Sequence, residues 1–143
     1  MPEPSAPFSD RLARRFWLLA LAQAAHSIEE MASGLYDFFW IATGRLHALL
    51  PSFRQFRMTA ATFGVINMAI IAVLFGAVPF VRARRPLAMA LAWIAAVVEI
   101  ANGTGHLAGT VVFSGYVPGA LTAPLLLWTG FLLLRELAGS ARP

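Results

Sequence analysis

Six ionisable or amide side chains stand inside long apolar stretches of this 143-residue sequence: His26, Glu29, Glu30, Glu99, Asn102 and His106. The first three are spaced i, i+3 and i+4, and the last three i, i+3 and i+7. At about 100° per residue, each set of three falls on one face of a helix. Two imidazoles and up to three carboxylates suit zinc or non-haem iron, and the same groups serve in acid/base catalysis.

The predicted burial of these ionisable side chains indicates a functional site. Ionisable groups at bilayer depth are costly, so they usually face the interior of a bundle and mark a functional site. Adjacent carboxylates there cannot all stay ionised without a partner, so either some of them are protonated or a metal ion compensates their charge. We expect His26, Glu30, Glu99 and His106 to ligate one or two divalent transition-metal ions, zinc or iron. We expect Glu29 to bridge a second ion or to act as a general base.

The composition predicts a membrane protein, and the lipid bilayer is therefore one of its expected partners. Hydrophobic residues make up 59% of the chain and charged residues 13%, against about 45–50% and 25% in soluble domains. All basic residues are arginines in short clusters, which is typical of topology signals and not of nucleic-acid binding. The absence of cysteine excludes disulfides, thiolate metal sites and cysteine nucleophiles.

Four hydrophobic segments are long enough for the roughly 20 residues that a spanning helix needs. They cover residues 15–33, 58–81, 87–112 and 117–135 approximately. The sequence therefore predicts an all-α fold, a four-helix transmembrane bundle in a single domain, 1–143. The first external loop, 34–57, mixes aromatic and charged residues, and we expect a short interfacial helix there.

The arginines indicate the orientation of the bundle. One side would hold Arg11, Arg14, Arg15, Arg82, Arg84, Arg85, Arg135 and Arg142, and the other Arg45, Arg54 and Arg57. By the positive-inside rule, we expect a multi-pass protein of the cell membrane with both termini in the cytoplasm.

A cleaved signal peptide is the alternative interpretation of the first segment. "RLARRFWLLALAQAAHS" has a basic start, an apolar core and Ala-x-Ala at residues 22–24, and cleavage there would leave three spans. The apolar run does not stop at a polar mature domain, which favours four spans.

The turn between the third and fourth segments, "SGYVPGALT", lies on the external side. At about 1.5 Å per residue, both polar sets lie in the outer half of the membrane, close to this turn. We expect Tyr116 to present its hydroxyl to the reacting groups, and Asn102 and Thr122 to orient ligands or substrate.

Three short motifs occur in order along the chain: "HSIEE" at 26–30, "NGTGH" at 102–106 and "YVPGALT" at 116–122. With these motifs the sequence resembles the uncharacterised small membrane proteins named for their His-x-x-Glu-Glu motif. Their other signatures are Asn-x-x-x-His and Tyr-x-Pro-Gly-x-x-Thr. The resemblance implies an enzyme but no established reaction.

Three functional classes follow. The first is an intramembrane metalloenzyme that hydrolyses or oxidises a small lipophilic substrate. The second is a metal-free acid/base isomerase of a lipid-like molecule, with a protonated glutamate as acid and His26 or His106 as base. The third is a small proton-coupled transporter, for which four spans leave little room unless the chain forms a homo-oligomer. The alternative to a functional site is that each polar side chain simply forms a hydrogen bond with a neighbouring helix. The occurrence of six such residues on two helix faces argues against this alternative.

Overall fold

The computed structural model describes residues 10–140 of the chain. These residues form five helices and no strand: α1 (Arg11–Ala32), α2 (Leu35–Leu49), α3 (Ala60–Arg82), α4 (Pro86–Val112) and α5 (Ala123–Ser140). The predicted all-α fold is confirmed over this range. Residues 1–9 of the predicted domain, and Arg142 of the orientation argument, lie outside it.

Local sequence signals determine where three of the helices begin. The Asp10 side chain caps α1 by accepting two N–H groups of the first turn, at 2.9 and 3.4 Å. Thr59 caps α3 in the same way, at 3.1 Å. Pro86 stands in the first turn of α4, where a backbone N–H would have no helical partner.

The helices do not contact one another evenly. α1 lies against both α3 and α5, and α4 lies against α5, whereas α3 and α4 touch only sparsely. Small residues allow α4 and α5 to approach closely. A Cβ on Gly103 would lie 2.9 Å from the carbonyl oxygen of Ala123, and one on Gly130 would lie 2.8 Å from Cγ1 of Ile100. The sparse contact leaves a groove between α3 and α4.

Ion pairs bring the arginine-rich segments to one end of the bundle. Arg84 lies 3.5 Å from Asp10, which joins the α3–α4 turn to the start of α1. Arg15 lies 3.2 Å from Glu136, and it also donates to the carbonyl of Leu132 at 2.8 Å, which joins α1 to α5. Among the described residues, the arginines predicted to share the cytoplasmic side therefore gather at one end.

Two of the described helices, α3 and α4, are long and apolar enough to cross a membrane. Their bounds match the predicted segments 58–81 and 87–112 closely. α1 covers the predicted segment 15–33, but it carries the polar residues of the candidate site. α2 occupies the loop in which the sequence predicts a helix. α5 begins at Ala123 and not near residue 117, because Pro118 and Gly119 form a turn before it.

Candidate metal and acid/base site

Three predicted ligands converge at the end of the bundle opposite Asp10 and the α3–α4 turn. His26 and Glu30 come from α1 and His106 from α4, and one ligand atom of each lies within 4.8 Å of the other two. Nε2 of His26 lies 3.1 Å from Oε1 of Glu30, and Nε2 of His106 lies 3.2 Å from the same oxygen. All three residues are more than nine-tenths buried. One carboxylate oxygen thus faces two imidazole nitrogens in a site shielded from solvent.

The tautomer of His26 follows from its other neighbour. The Thr122 hydroxyl donates to Oε2 of Glu29 at 2.5 Å, because an ionised carboxylate only accepts. The oxygen of that hydroxyl also lies 2.7 Å from Nδ1 of His26, so we assign the proton of this second hydrogen bond to Nδ1. In the neutral imidazole, Nε2 then carries a lone pair, and it makes no hydrogen bond.

This tautomer of His26 produces an electrostatic repulsion between its ring and Glu30. The Nε2 lone pair of His26 stands 3.1 Å from a carboxylate oxygen of Glu30. Two electron-rich atoms at that distance repel each other unless a proton or a cation lies between them. A low-dielectric interior strengthens this repulsion.

Glu29 holds the turn that follows α4. Oε1 accepts from the Tyr116 hydroxyl at 2.7 Å and from the Leu121 N–H at 3.0 Å. Oε2 accepts from the Thr122 N–H at 2.8 Å, in addition to the Thr122 hydroxyl. Both oxygens are therefore occupied by donors from the turn, and Glu29 positions Thr122 for its contact with His26.

Tyr116 donates its proton in this arrangement and lies largely at the surface, 53% exposed. Desolvation of the hydroxyl raises the pKa of Tyr116, and the hydrogen bond to Glu29 and the negative charge of that residue raise it further. The phenol therefore remains a donor to Glu29 at neutral pH.

Gly119 is the point at which the turn touches both imidazoles. Its φ of +94° is rarely adopted by residues with a side chain. A Cβ there would lie 2.6 Å from Cε1 of His106 and 2.8 Å from Cε1 of His26. The rings themselves meet edge to face, with centroids 4.7 Å apart. Only glycine allows the turn to close over the site in this way.

A family described as proteins of unknown function with an HXXEE motif matches residues 17–133. The chain belongs to this HXXEE family. No curated protein and no solved structure matches it.

The three motifs of this HXXEE protein meet in one place. The first supplies His26 and Glu30 to the three-residue group, and its other glutamate, Glu29, binds the Tyr-x-Pro-Gly-x-x-Thr turn. The second motif supplies His106. The two adjacent glutamates of the HXXEE motif thus have different contacts. Successive residues of a helix are rotated by about 100°, which points the two carboxylates toward different neighbours.

Glu99, predicted as a fourth ligand, is not part of the three-residue group. Its carboxylate faces the amide of Gln23. We assign the amide nitrogen to the side of the carboxylate, because an ionised carboxylate only accepts, and it then donates to Oε2 at 2.7 Å and to Oε1 at 3.2 Å. The Asn102 side chain also hydrogen-bonds to it. Glu99 lies seven residues before His106, about 10 Å lower on α4. It is buried, and two amide side chains bind it in a layer below the imidazoles.

This lower layer contains polar residues that the prediction did not include. The Ser27 hydroxyl lies 3.1 Å from the Gln23 amide and donates to Oδ1 of Asn67 on α3, at 2.6 Å. Gln23 and Ser27 stand three residues before His26 and one after it. Helical spacing from His26 and Glu30 could have identified both, since Gln23, Ser27 and Glu30 are spaced i, i+4 and i+7.

A cavity of about 360 Å³ between α2 and α4 reaches the site of this HXXEE protein. Its polar lining residues are Asn102 and His106, and the rest of its wall is apolar, including Phe38, Phe39 and Phe113. Nδ1 of His106 is buried and has no hydrogen-bond partner. The cavity is therefore suited to an apolar molecule with few polar groups.

Glu29→Gln is expected to lower the free energy of unfolding by about 2 kcal/mol, because an amide nitrogen replaces an oxygen that accepts two hydrogen bonds. Tyr116→Phe removes the hydrogen bond that the phenol donates to Glu29 and should cost about 1 kcal/mol. Unfolding in mixed detergent micelles measures both values. Asp37→Asn on the exposed face of α2 is the control and should change stability by less than about 0.5 kcal/mol. Equal stability of Glu29→Gln and Asp37→Asn would contradict the clamping role of Glu29.

Proposed function

We propose that this chain is a multi-pass membrane metalloenzyme that acts on a small lipophilic substrate. The observation that carries the proposal is the position of Glu30 Oε1, 3.1 and 3.2 Å from the Nε2 atoms of His26 and His106. The hydrogen bond from Nδ1 of His26 leaves its Nε2 without a proton in the neutral ring. A cation held by these three atoms would remove the repulsion between them.

Two of the three spacings between these atoms fit a transition metal. Nitrogen and oxygen ligands at about 2.0–2.1 Å from a tetrahedral ion lie roughly 3.3–3.4 Å from one another. The separations of Glu30 Oε1 from the two imidazole nitrogens, 3.1 and 3.2 Å, are close to this value. The three atoms together span up to 4.8 Å, so the two imidazoles would move closer together on binding one ion. Two histidines and one carboxylate form a set that both zinc and non-haem iron accept with positions left open. We propose one ion for this site, since Glu99 and Glu29 have other partners.

The surroundings of His26 support the same proposal. Histidines that bind a metal usually donate their second N–H to an oxygen that fixes the ring. Here Nδ1 donates to Thr122, and Thr122 in turn donates to the Glu29 carboxylate. We propose that Glu29 is a positioning residue and not the general base, because the turn occupies both of its oxygens.

The reaction is constrained by the cavity between α2 and α4. A zinc ion held here would supply Lewis-acid chemistry for hydrolysis, and an iron ion would supply redox chemistry for oxidation. The apolar wall would hold the body of the substrate and exclude water. Asn102 and the His106 ring, which both line this cavity, would offer the polar contacts that orient its reactive group.

We also propose that α1 and α5 cross the membrane together with α3 and α4, with both termini in the cytoplasm. α1 has 22 residues and α5 has 18, which correspond to about 33 and 27 Å, against a hydrocarbon thickness of about 30 Å. The clustering of arginines at one end supports this orientation.

A metal-free acid/base enzyme is the second candidate. Nε2 of His26 and Nδ1 of His106 are both buried without a hydrogen-bond partner. A proton between His26 and Glu30 would also remove their repulsion, and His106, whose ring lines the cavity, would then act as the base once the turn at Gly119 moved away from its free nitrogen.

The metal content of the detergent-purified chain distinguishes the two candidates. We expect elemental analysis to find about one equivalent of zinc or iron per chain, and chelation followed by re-addition to lower and then restore thermal stability. A metal at 100 times its Kd stabilises the fold by about 2.7 kcal/mol. A folded protein that holds no metal, and that neither zinc nor ferrous iron stabilises, would overturn the metalloenzyme and leave the acid/base candidate.

A further inference from the structure

An apolar groove runs along the bundle between α3 and α4. Two cavities of about 560 and 320 Å³ lie along it, one above the other, and Leu91 lines both. It exists because α1 and α5 hold α3 and α4 on their other sides, while these two helices scarcely touch each other. The groove lies away from the cavity between α2 and α4.

The groove is apolar along its length and polar at its ends. Its wall is lined by aliphatic side chains from both helices, including Val73, Ala77, Leu91, Ala95 and Val98. Arg85 lines the groove at one end, and Glu99 lines it at the other. The distance from Arg85 to Glu99 along α4 is about 21 Å.

The location of the groove limits what can occupy it. α3 and α4 are the described helices that are long and apolar enough to cross a membrane, so in the membrane placement proposed above the groove between them would open to lipid. The acyl chains of one leaflet fill about half of the roughly 30 Å hydrocarbon core, or about 15 Å. One chain therefore fits between the arginine end and the level of Glu99, with room for its headgroup beside Arg85.

Charge indicates which headgroup is favoured. Arg85 is exposed at the end where Arg84 pairs with Asp10, and a cation at the membrane surface attracts anionic lipids. Glu99 disfavours an anion at the deep end. We propose that the α3–α4 groove binds one acyl chain of an anionic glycerophospholipid, with the headgroup at Arg85 and the chain directed toward Glu99. This proposal rests on the membrane placement proposed above and not on the metal site.

The test uses the full chain in phosphatidylcholine vesicles with spin-labelled phosphatidylglycerol or phosphatidylcholine as the probe. The motionally restricted fraction of each lipid gives its relative affinity. We expect the wild type to prefer phosphatidylglycerol, and Arg85→Gln to reduce that preference about fivefold, the effect of one arginine near an anionic surface. Arg14→Gln, an exposed arginine at the same end, is the control and should keep the preference.

A second pair of variants tests the chain-binding wall. Val73 lines the groove and Val65 lies on α3 outside it, and both are more than half exposed. Val73→Trp should displace the restricted lipid, whereas Val65→Trp should not. Helicity and gel-filtration elution verify that each variant is folded, and Arg85→Gln tests the headgroup contact without altering the wall. Equal binding of both lipids by the wild type, equal losses in Arg85→Gln and Arg14→Gln, or equal losses in the two tryptophan variants would overturn the proposal.

Discussion

Glu30→Gln is expected to lower metal affinity by more than about 100-fold while the helices remain folded. Removing a group that merely orients a ligand already costs about 10- to 100-fold, and Glu30 contributes the one oxygen that faces Nε2 of both imidazoles. The amide has nearly the same shape and lacks the charge. It is also less costly to bury than an unpaired carboxylate, so the loss should not come from unfolding.

The measurement is a competition titration of zinc and of ferrous iron against a coloured chelator, combined with elemental analysis of the purified variant. Glu136→Gln is the matched control, because it makes the same change on α5, at the arginine end, where Glu136 pairs with Arg15. It should retain wild-type affinity. If Glu30→Gln binds metal as tightly as Glu136→Gln does, Glu30 is not a ligand.

His106→Ala removes the ligand that α4 contributes, and it should abolish metal binding as Glu30→Gln on α1 does. The double variant Glu30→Gln/His106→Ala should bind no more weakly than either single variant within the detection limit, because each change dismantles the same unit. Independent, additive losses would indicate two separate sites.

Gly119→Ala is expected to disrupt the site without altering any ligand. The backbone strain of a positive φ costs about 1–3 kcal/mol in a residue with a Cβ. The added carbon would also stand 2.7 Å from Nδ1 of His106 and 2.8 Å from Cε1 of His26. Relief of these contacts requires the turn and the rings to separate. We therefore expect both lower stability and at least a tenfold loss of metal affinity, on the order of an orienting-group loss.

Gly76→Ala is the control for this change. Gly76 lies within α3, and a Cβ there would meet nothing within 4 Å, so alanine should be neutral or stabilising by up to about 1 kcal/mol. Thermal unfolding and metal titration of the two variants together separate the effects. Unchanged metal affinity in Gly119→Ala would show that the turn does not position the imidazoles.

The sequence was sufficient to predict the convergence of His26, Glu30 and His106. Helical spacing places the side chains on faces, and the cost of burying charge turns those faces toward each other. The same argument included Glu99, which the structure places in a lower layer. A face predicts direction around a helix, but the depth at which two helices meet depends on their packing.

The different roles of Glu29 and Glu30 could not be read from their adjacency. Glu29 is bound by a turn 93 residues away, and nothing in the local sequence specifies that contact. The start of α5 was misjudged for a related reason. Hydropathy alone does not distinguish apolar residues of a turn from those of a helix, and Val117 is buried although it precedes α5.

The contact between His26 and Thr122 joins residues 96 positions apart, and this separation determines the order of assembly during synthesis. At about 5–20 residues per second, α1 precedes its partner turn by roughly 5–20 s. During that interval the glutamates of α1 have neither the turn nor the second imidazole to bind. In the four-span arrangement we propose, the nascent helix must keep this end near water or the translocation channel until α4 and α5 arrive. In the metalloenzyme we propose, metal would bind only after the turn and the second imidazole are in place, so a nascent chain that ends before the turn would have helix α1 and its glutamates but no complete site.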